Sequence, residues 1–226
     1  MDDNLKGLMY AGFTALLWGF LAIAIKVSLY DLDPATVTWF RFTIAFVGLS
    51  IILLISDRSV IHTIKRPPLK VFLAALFLGM NYFGFISGVN LTSPSNAQVF
   101  IQIGPISFAV AGIIIFKEKI GWKQIVGFMV LITGFIIFYS QQVSIDKFST
   151  DNAYFHGVIF VIFGGLSWAV FSILQKSMVV KWNPNHLNIL IYGTCSLLFL
   201  PLADFHKVPG ITLSSWLMLI FLGMNT

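Results

Sequence analysis

Residues 15–26 read ALLWGFLAIAIK, and residues 165–176 read GLSWAVFSILQK. Moving the chain by 150 positions lays Trp18 on Trp168, Lys26 on Lys176, Asp33 on Asn183 and Pro34 on Pro184. At a shift of 144, FLGMN at Phe77–Asn81 falls on FLGMN at Phe221–Asn225. The difference is absorbed by a loop, where DRSVIHTIKRPPLK (57–70) becomes DFHKVPGITLSS (204–215). Two unrelated hydrophobic helices would match leucines with isoleucines. They would rarely match Trp, Lys and Pro in one register, so the pattern reads as an internal duplication.

Composition sets the solvent in which that duplicated unit folds. Apolar residues make up 58% of the chain and charged residues 10%, against about a quarter charged in a soluble domain. Mean hydropathy is +0.89. One soluble core of this size could not hide so much apolar surface. The class is therefore an all-α integral membrane protein, because the uncharged stretches are apolar all round and lack the strict alternation of a β-barrel. At about 20 residues per crossing, full spans are expected near 8–30, 34–56, 70–90, 94–116, 121–140, 156–180 and 184–203, and an eighth begins near Leu213.

The leader MDDNLKG carries two acids and one lysine, its apolar run is long, and no small-residue cleavage site follows. The first span is thus expected to remain as a helix and not as a signal peptide. With the N-terminus cytoplasmic, ten lysines and arginines fall in cytoplasmic segments and only Lys147 and Lys207 outside, which sets the expected orientation. The net charge of +5 is accordingly a topology signal, and nucleic acid is not an expected partner. A lone cysteine, Cys195, excludes an internal disulfide.

A unit of five spans enters the membrane from opposite sides in its two copies. The expected architecture is therefore an inverted repeat of five-helix units, 1–145 and 154–226, a plan characteristic of alternating-access carriers. The second copy is expected to be incomplete, since FLGMN lies near the middle of a helix in the first copy and at the end of the chain in the second. A complete second copy would need about 60 further residues. A chain naturally ending at Thr226, with its last segment at the interface, is the alternative.

Several short motifs carry a resemblance. They are Trp18-Gly19, Pro34 with Arg41-Phe42, the kinked pair Gly104-Pro105, and FKEKIGWKQIVGFMVLITG (116–134) with Glu118, Gly127 and Gly134. With the five-plus-five arrangement they resemble EamA-type members of the drug/metabolite transporter superfamily. The resemblance implies an inner-membrane carrier of metabolites, amino acids or drugs, usually directed outward, with no cofactor.

Polar groups inside the hydrocarbon need a reason, and they supply the candidate substrate-binding residues. Arg41 lies about 10 Å into its helix; it is either a cationic anchor in a wet cavity or an arginine that snorkels or pairs with Asp31 or Asp33. Lys26 and Lys176 read better as snorkelling residues near helix ends. Gln98 and Gln102 share one face, and Pro105 frees a backbone carbonyl beside them. They line a cavity or bond a neighbouring helix. The same two readings hold for Asn81, which sits beside Tyr82. Trp18 and Trp168 are mid-span, with Ser172 one turn beyond Trp168, and they form either an aromatic wall or packing between the repeats. Gly84 and Gly88 read as a helix contact.

His62, His156, His186 and His206 fall in or beside loops without ligand spacing, no nucleophile motif is present, and no acid lies within a span. The leading expectation is a secondary transporter of an anionic or zwitterionic small molecule. The expected partners are that substrate and the lipid bilayer, and a homodimer is left open. A non-transporting truncated fragment is a second reading. An integral membrane enzyme is a third, disfavoured because no cluster of His, Asp or Glu marks a membrane face.

Overall fold

The computed structural model describes residues 3–57, 59–65, 67–119, 121–142 and 152–226. Helix α1 (Asp3–Ser28) is followed by α2 (Pro34–Ser56), the short α3 (Val60–Lys65) and α4 (Lys70–Leu91). The fourth span is split into α5 (Pro94–Phe100) and α6 (Ile103–Phe116), and α7 (Trp122–Gln142) follows. Then come α8 (Ala153–Met178), α9 (Pro184–Phe199) and α10 (Leu213–Met224), with short 3-10 turns between the last two. No strand occurs among the described residues.

Five of these stretches are long and apolar enough to cross a membrane: Pro34–Ser56, Lys70–Leu91, Pro94–Phe116, Ala153–Met178 and Pro184–Leu202. The spans expected near 8–30 and 121–140 correspond to α1 and α7, whose apolar stretches are shorter, Gly12–Ser28 and Gln124–Phe138. The protein is a multi-pass, all-helical membrane protein.

The matched Asx-Pro pairs both act as helix starts. Asp33 caps α2 by accepting from the backbone N–H groups of Ala35 and Thr36, and Asn183 caps α9 by accepting from Asn185 N–H. In each case the proline occupies the first helical position, where its missing N–H costs nothing. The two helices then run antiparallel. At one end Asp204 N–H donates to Thr36 Oγ1 at 2.7 Å; at the other His186 Nε2 meets Asp57 Oδ2 at 2.9 Å. Pro34 and Pro184 therefore lie at opposite ends of the bundle. Hydrogen bonds from Ser59 and then His186 hold the Asp57 carboxyl below the usual carboxylate range.

Further ties close the Pro34 end. Thr212 donates to Asp31 Oδ2 through its N–H at 3.0 Å and its hydroxyl at 2.7 Å. Bonds from Ser215 and then Thr212 lower the Asp31 pKa. Lys26 Nζ reaches the carbonyls of Val89 and Asn90 at 3.4 and 3.3 Å, where a cation complements the end of α4. At the Asp57 end Lys176 pairs with Glu118. Both lysines are thus engaged at helix ends.

Helices α4 and α8 make the longest crossing. A methyl on Gly84 would come within 2.7 Å of Phe160 O, and one on Gly164 within 3.0 Å of Asn81 O, so the two backbones touch without side chains between them. Close contact of this kind provides dispersion, the main attraction between helices that lipid solvates equally well. Gly84 and Gly88 therefore act as the helix contact expected of them. Buried side chains gather in two clusters. One, around Ile25, Val37 and Ile86, joins α1 and α10 to α4. The other, around Phe42, Leu78 and Ile191, joins α2 and α9 to α4.

Candidate functional site

Between these clusters lies a cavity of about 120 Å³. Pro105 shapes one wall. Without an N–H it cannot bond the carbonyl of Ile101, and its ring crowds that carbonyl. The span breaks there: α5 stops at Phe100 and α6 starts at Ile103. Gly104 N–H takes up the Ile101 carbonyl at 2.9 Å. Gln98, Ile101, Gln102 and Pro105 all line the cavity from this break. The sequence places a kink at Gly104-Pro105; the structure places the break itself three residues upstream, where the lost bond would have closed.

Arg41 enters from α2 and is 2% exposed. Its guanidinium stacks over the Tyr82 ring, 4.3 Å from the centroid, and Tyr82 in turn packs against Phe42. The acids that could have neutralised it are occupied. Asp33 caps α2 and accepts from Thr36 Oγ1, and Asp31 binds Thr212. Arg41 Nε has no hydrogen-bond partner. A buried charge without a counter-ion is costly in a medium of low dielectric, and the cavity wall is where this one sits.

Of the eight residues singled out from sequence, seven line the cavity: Trp18, Arg41, Asn81, Tyr82, Gln98, Gln102 and Trp168. Ser172 does not; it is buried in α8 away from the cavity. Two of the seven also serve the packing. Asn81 Nδ2 donates to Gly164 O at 2.9 Å across the α4–α8 crossing, and Trp168 meets Phe108 edge to face at 5.9 Å. Gln102 Nε2 makes only a long bond, 3.4 Å, to Gln98 O.

The lining also includes Leu21, Phe85, Ile101, Pro105 and Asn225. Helical arithmetic could have found three of them, since Leu21, Phe85 and Ile101 lie three or four residues from Trp18, Asn81 or Tyr82, and Gln98. Asn225 is the repeat partner of Asn81, and Trp168 of Trp18. Two pairs from the sequence match thus line the cavity, whereas the position 150 residues beyond Arg41 holds Ile191.

The model of the EamA-like transporter family matches residues 5–140 and 155–226. The chain belongs to this family. Among EamA-like proteins it is 32% identical to an uncharacterized transporter of Haemophilus influenzae, covering all of this chain and 73% of that protein. It is also 32% identical to the uncharacterized inner membrane transporter YhbE of Escherichia coli, covering 97% of this chain and 69% of YhbE. A solved crystal structure shares the fold, with a TM-score of 0.68 at 20% identity over 94% of this chain and 71% of that one. An EamA-like chain is a membrane transporter, which makes the enzyme reading the weaker one.

Proposed function

We propose that the protein is an inner-membrane secondary transporter that moves a small carboxylate-bearing metabolite, amino acid or drug outward by alternating access around this cavity. The carrying observation is Arg41: 2% exposed, unpaired at Nε, and part of the cavity wall. An anionic or zwitterionic cargo would supply the counter-charge that the protein withholds. Binding would then relieve a cost that the empty site bears in the membrane interior.

The moving parts in this reading are two inverted units, 1–145 and 154–226. Their antiparallel α2 and α9, with Lys26 and Lys176 at opposite ends, support that relation. So does the pairing of helices. If α1 corresponds to α8 and α4 to α10, the contact of α1 with α10 is the counterpart of that of α8 with α4. The excess of Lys and Arg in alternate loops supports a cytoplasmic N-terminus, and the YhbE likeness supports the inner membrane.

Reconstitution into proteoliposomes tests the function. Arg41→Ala should lower uptake of acidic and zwitterionic solutes by about tenfold, equivalent to ~1.4 kcal/mol, and leave neutral solutes nearly unchanged. An equal loss for all three classes would make Arg41 structural and remove the cavity's claim to be the binding site.

A further inference from the structure

The cavity's polar groups are one-sided in a way that narrows the cargo further; this step rests on the carboxylate-binding reading above. Two buried nitrogens at the cavity lack partners, Arg41 Nε and Asn225 Nδ2. Both are donors. The neighbouring Asn81 has already committed its own amide nitrogen to Gly164 O. A ligand that brings acceptors would satisfy both donors.

The geometry around Arg41 says which kind. Arg41 Cζ lies over the Tyr82 ring, 4.3 Å from its centroid, and a guanidinium recognises anions through its planar N–H edge. That edge matches the paired oxygens of a carboxylate. One guanidinium balances one negative charge, and no second Lys or Arg lines the cavity among the described residues, so a dicarboxylate or a phosphate dianion would leave a charge uncompensated there.

The absence of acid matters as much. Among the described residues no Asp or Glu lines the cavity. The ammonium of an amino acid would lose its water beside Arg41, a like charge in low dielectric. It would find ring faces and amide oxygens there in place of a carboxylate, and Arg41 already occupies the Tyr82 ring. Beside the amides of Gln98 and Gln102, the wall presents the apolar faces of Trp18, Leu21, Phe85, Ile101 and Trp168.

We infer that the site selects a small monocarboxylate anion with an apolar, planar or branched body and no ammonium group, in preference to the corresponding amino acid. The proposal rests on two buried donors without hydrogen-bond partners, Arg41 Nε and Asn225 Nδ2, in a lining where no Asp or Glu occurs among the described residues.

Four near-isosteric probes decide it on the full chain purified in mild detergent: phenylacetate, its neutral amide phenylacetamide, zwitterionic phenylglycine and cationic benzylamine. Trp18 and Trp168 provide a fluorescence readout at the cavity, and thermal stabilisation gives an independent one. Phenylacetate should bind about tenfold tighter than each of the others, a difference expected of an arginine edge pairing with a carboxylate. Arg41→Lys, which keeps the charge but loses the fork, should reduce that preference, and Arg41→Gln should abolish it. Because the four-probe comparison uses the unaltered protein, it does not depend on either variant folding. Phenylglycine binding as tightly as phenylacetate would overturn the inference while leaving a carboxylate site intact. Equal binding of the amide or the amine would overturn both the inference and the carboxylate reading, as would no binding of any probe. Competition by chloride or phosphate at the same concentration as phenylacetate would overturn it in favour of an inorganic anion.

Discussion

At the scale of the residue, Asn81 shows how one side chain holds two positions at once. It lines the cavity, and its amide nitrogen bonds Gly164 O across the α4–α8 crossing. Its donor is thus committed to packing, and Asn81→Ala should act mainly there. The expected loss is about 0.6 kcal/mol, the average for an interhelical hydrogen bond in a membrane protein, read as a small drop in melting temperature in detergent. Transport should fall less than in Arg41→Ala. A loss as large as that of Arg41→Ala, at an unchanged melting temperature, would instead make the amide a ligand-binding group. The bond to Gly164 could not be read from the sequence, because an amide within an apolar span does not name its partner, and this one lies 83 positions away. Arg41 was more legible. A cation seven residues into an apolar helix is anomalous wherever it points, and the structure was needed to show that Asp31 and Asp33 bond elsewhere.

At the scale of the element, proline and glycine decided most of what the sequence revealed. Pro34 and Pro184 mark the starts of α2 and α9 to the residue, since their fixed φ and absent N–H suit the first helical position alone. Pro105 announced the break in the fourth span but not its place, because the lost bond closes a turn earlier. What stayed hidden was the set of pairs that tie helix ends together. Glu118 with Lys176 and Asp57 with His186 join residues 58 and 129 positions apart, and no local pattern encodes such separations. The crossing of α4 and α8 makes a sharp prediction of its own. Gly84→Leu places a branched side chain where a bare methyl would already lie 2.7 Å from Phe160 O. The helices must then part, at a cost of about 1–3 kcal/mol for overpacking, and Asn81 loses its bond. The expected signs are a lower melting temperature and greater protease sensitivity. Gly127→Leu on α7, where an added methyl meets nothing within 4 Å, should show neither. Equal stability of the two variants would mean that the crossing is not close.

At the scale of the whole molecule, the α2–α9 pair carries a tie at each end, and the two ties occupy corresponding places in the sequence match. Thr36 and His186 each lie two residues after the helix-starting proline; Asp204 and Asp57 each follow the helix that ends nearby. One tie is neutral, Asp204 N–H to Thr36 Oγ1 at 2.7 Å, and the other joins His186 to the Asp57 carboxylate at 2.9 Å. In the alternating-access cycle proposed above, the helices would separate first at one end and then at the other, so each tie would break once in every cycle. Cysteine pairs at 57 and 186, or at 36 and 204, test this in a Cys195→Ala background, which removes the buried native thiol. A short bifunctional thiol reagent should stop transport in either pair, and the corresponding single-cysteine proteins should keep most of it. Membrane-impermeant labelling of single cysteines at 34 and 184 should come from opposite sides of the membrane, because the two helix starts lie at opposite ends of the bundle. Transport that survives cross-linking of both ends would show that α2 and α9 stay fixed against each other. The motion that empties the cavity would then lie elsewhere, and the two units could not be the rocking bodies.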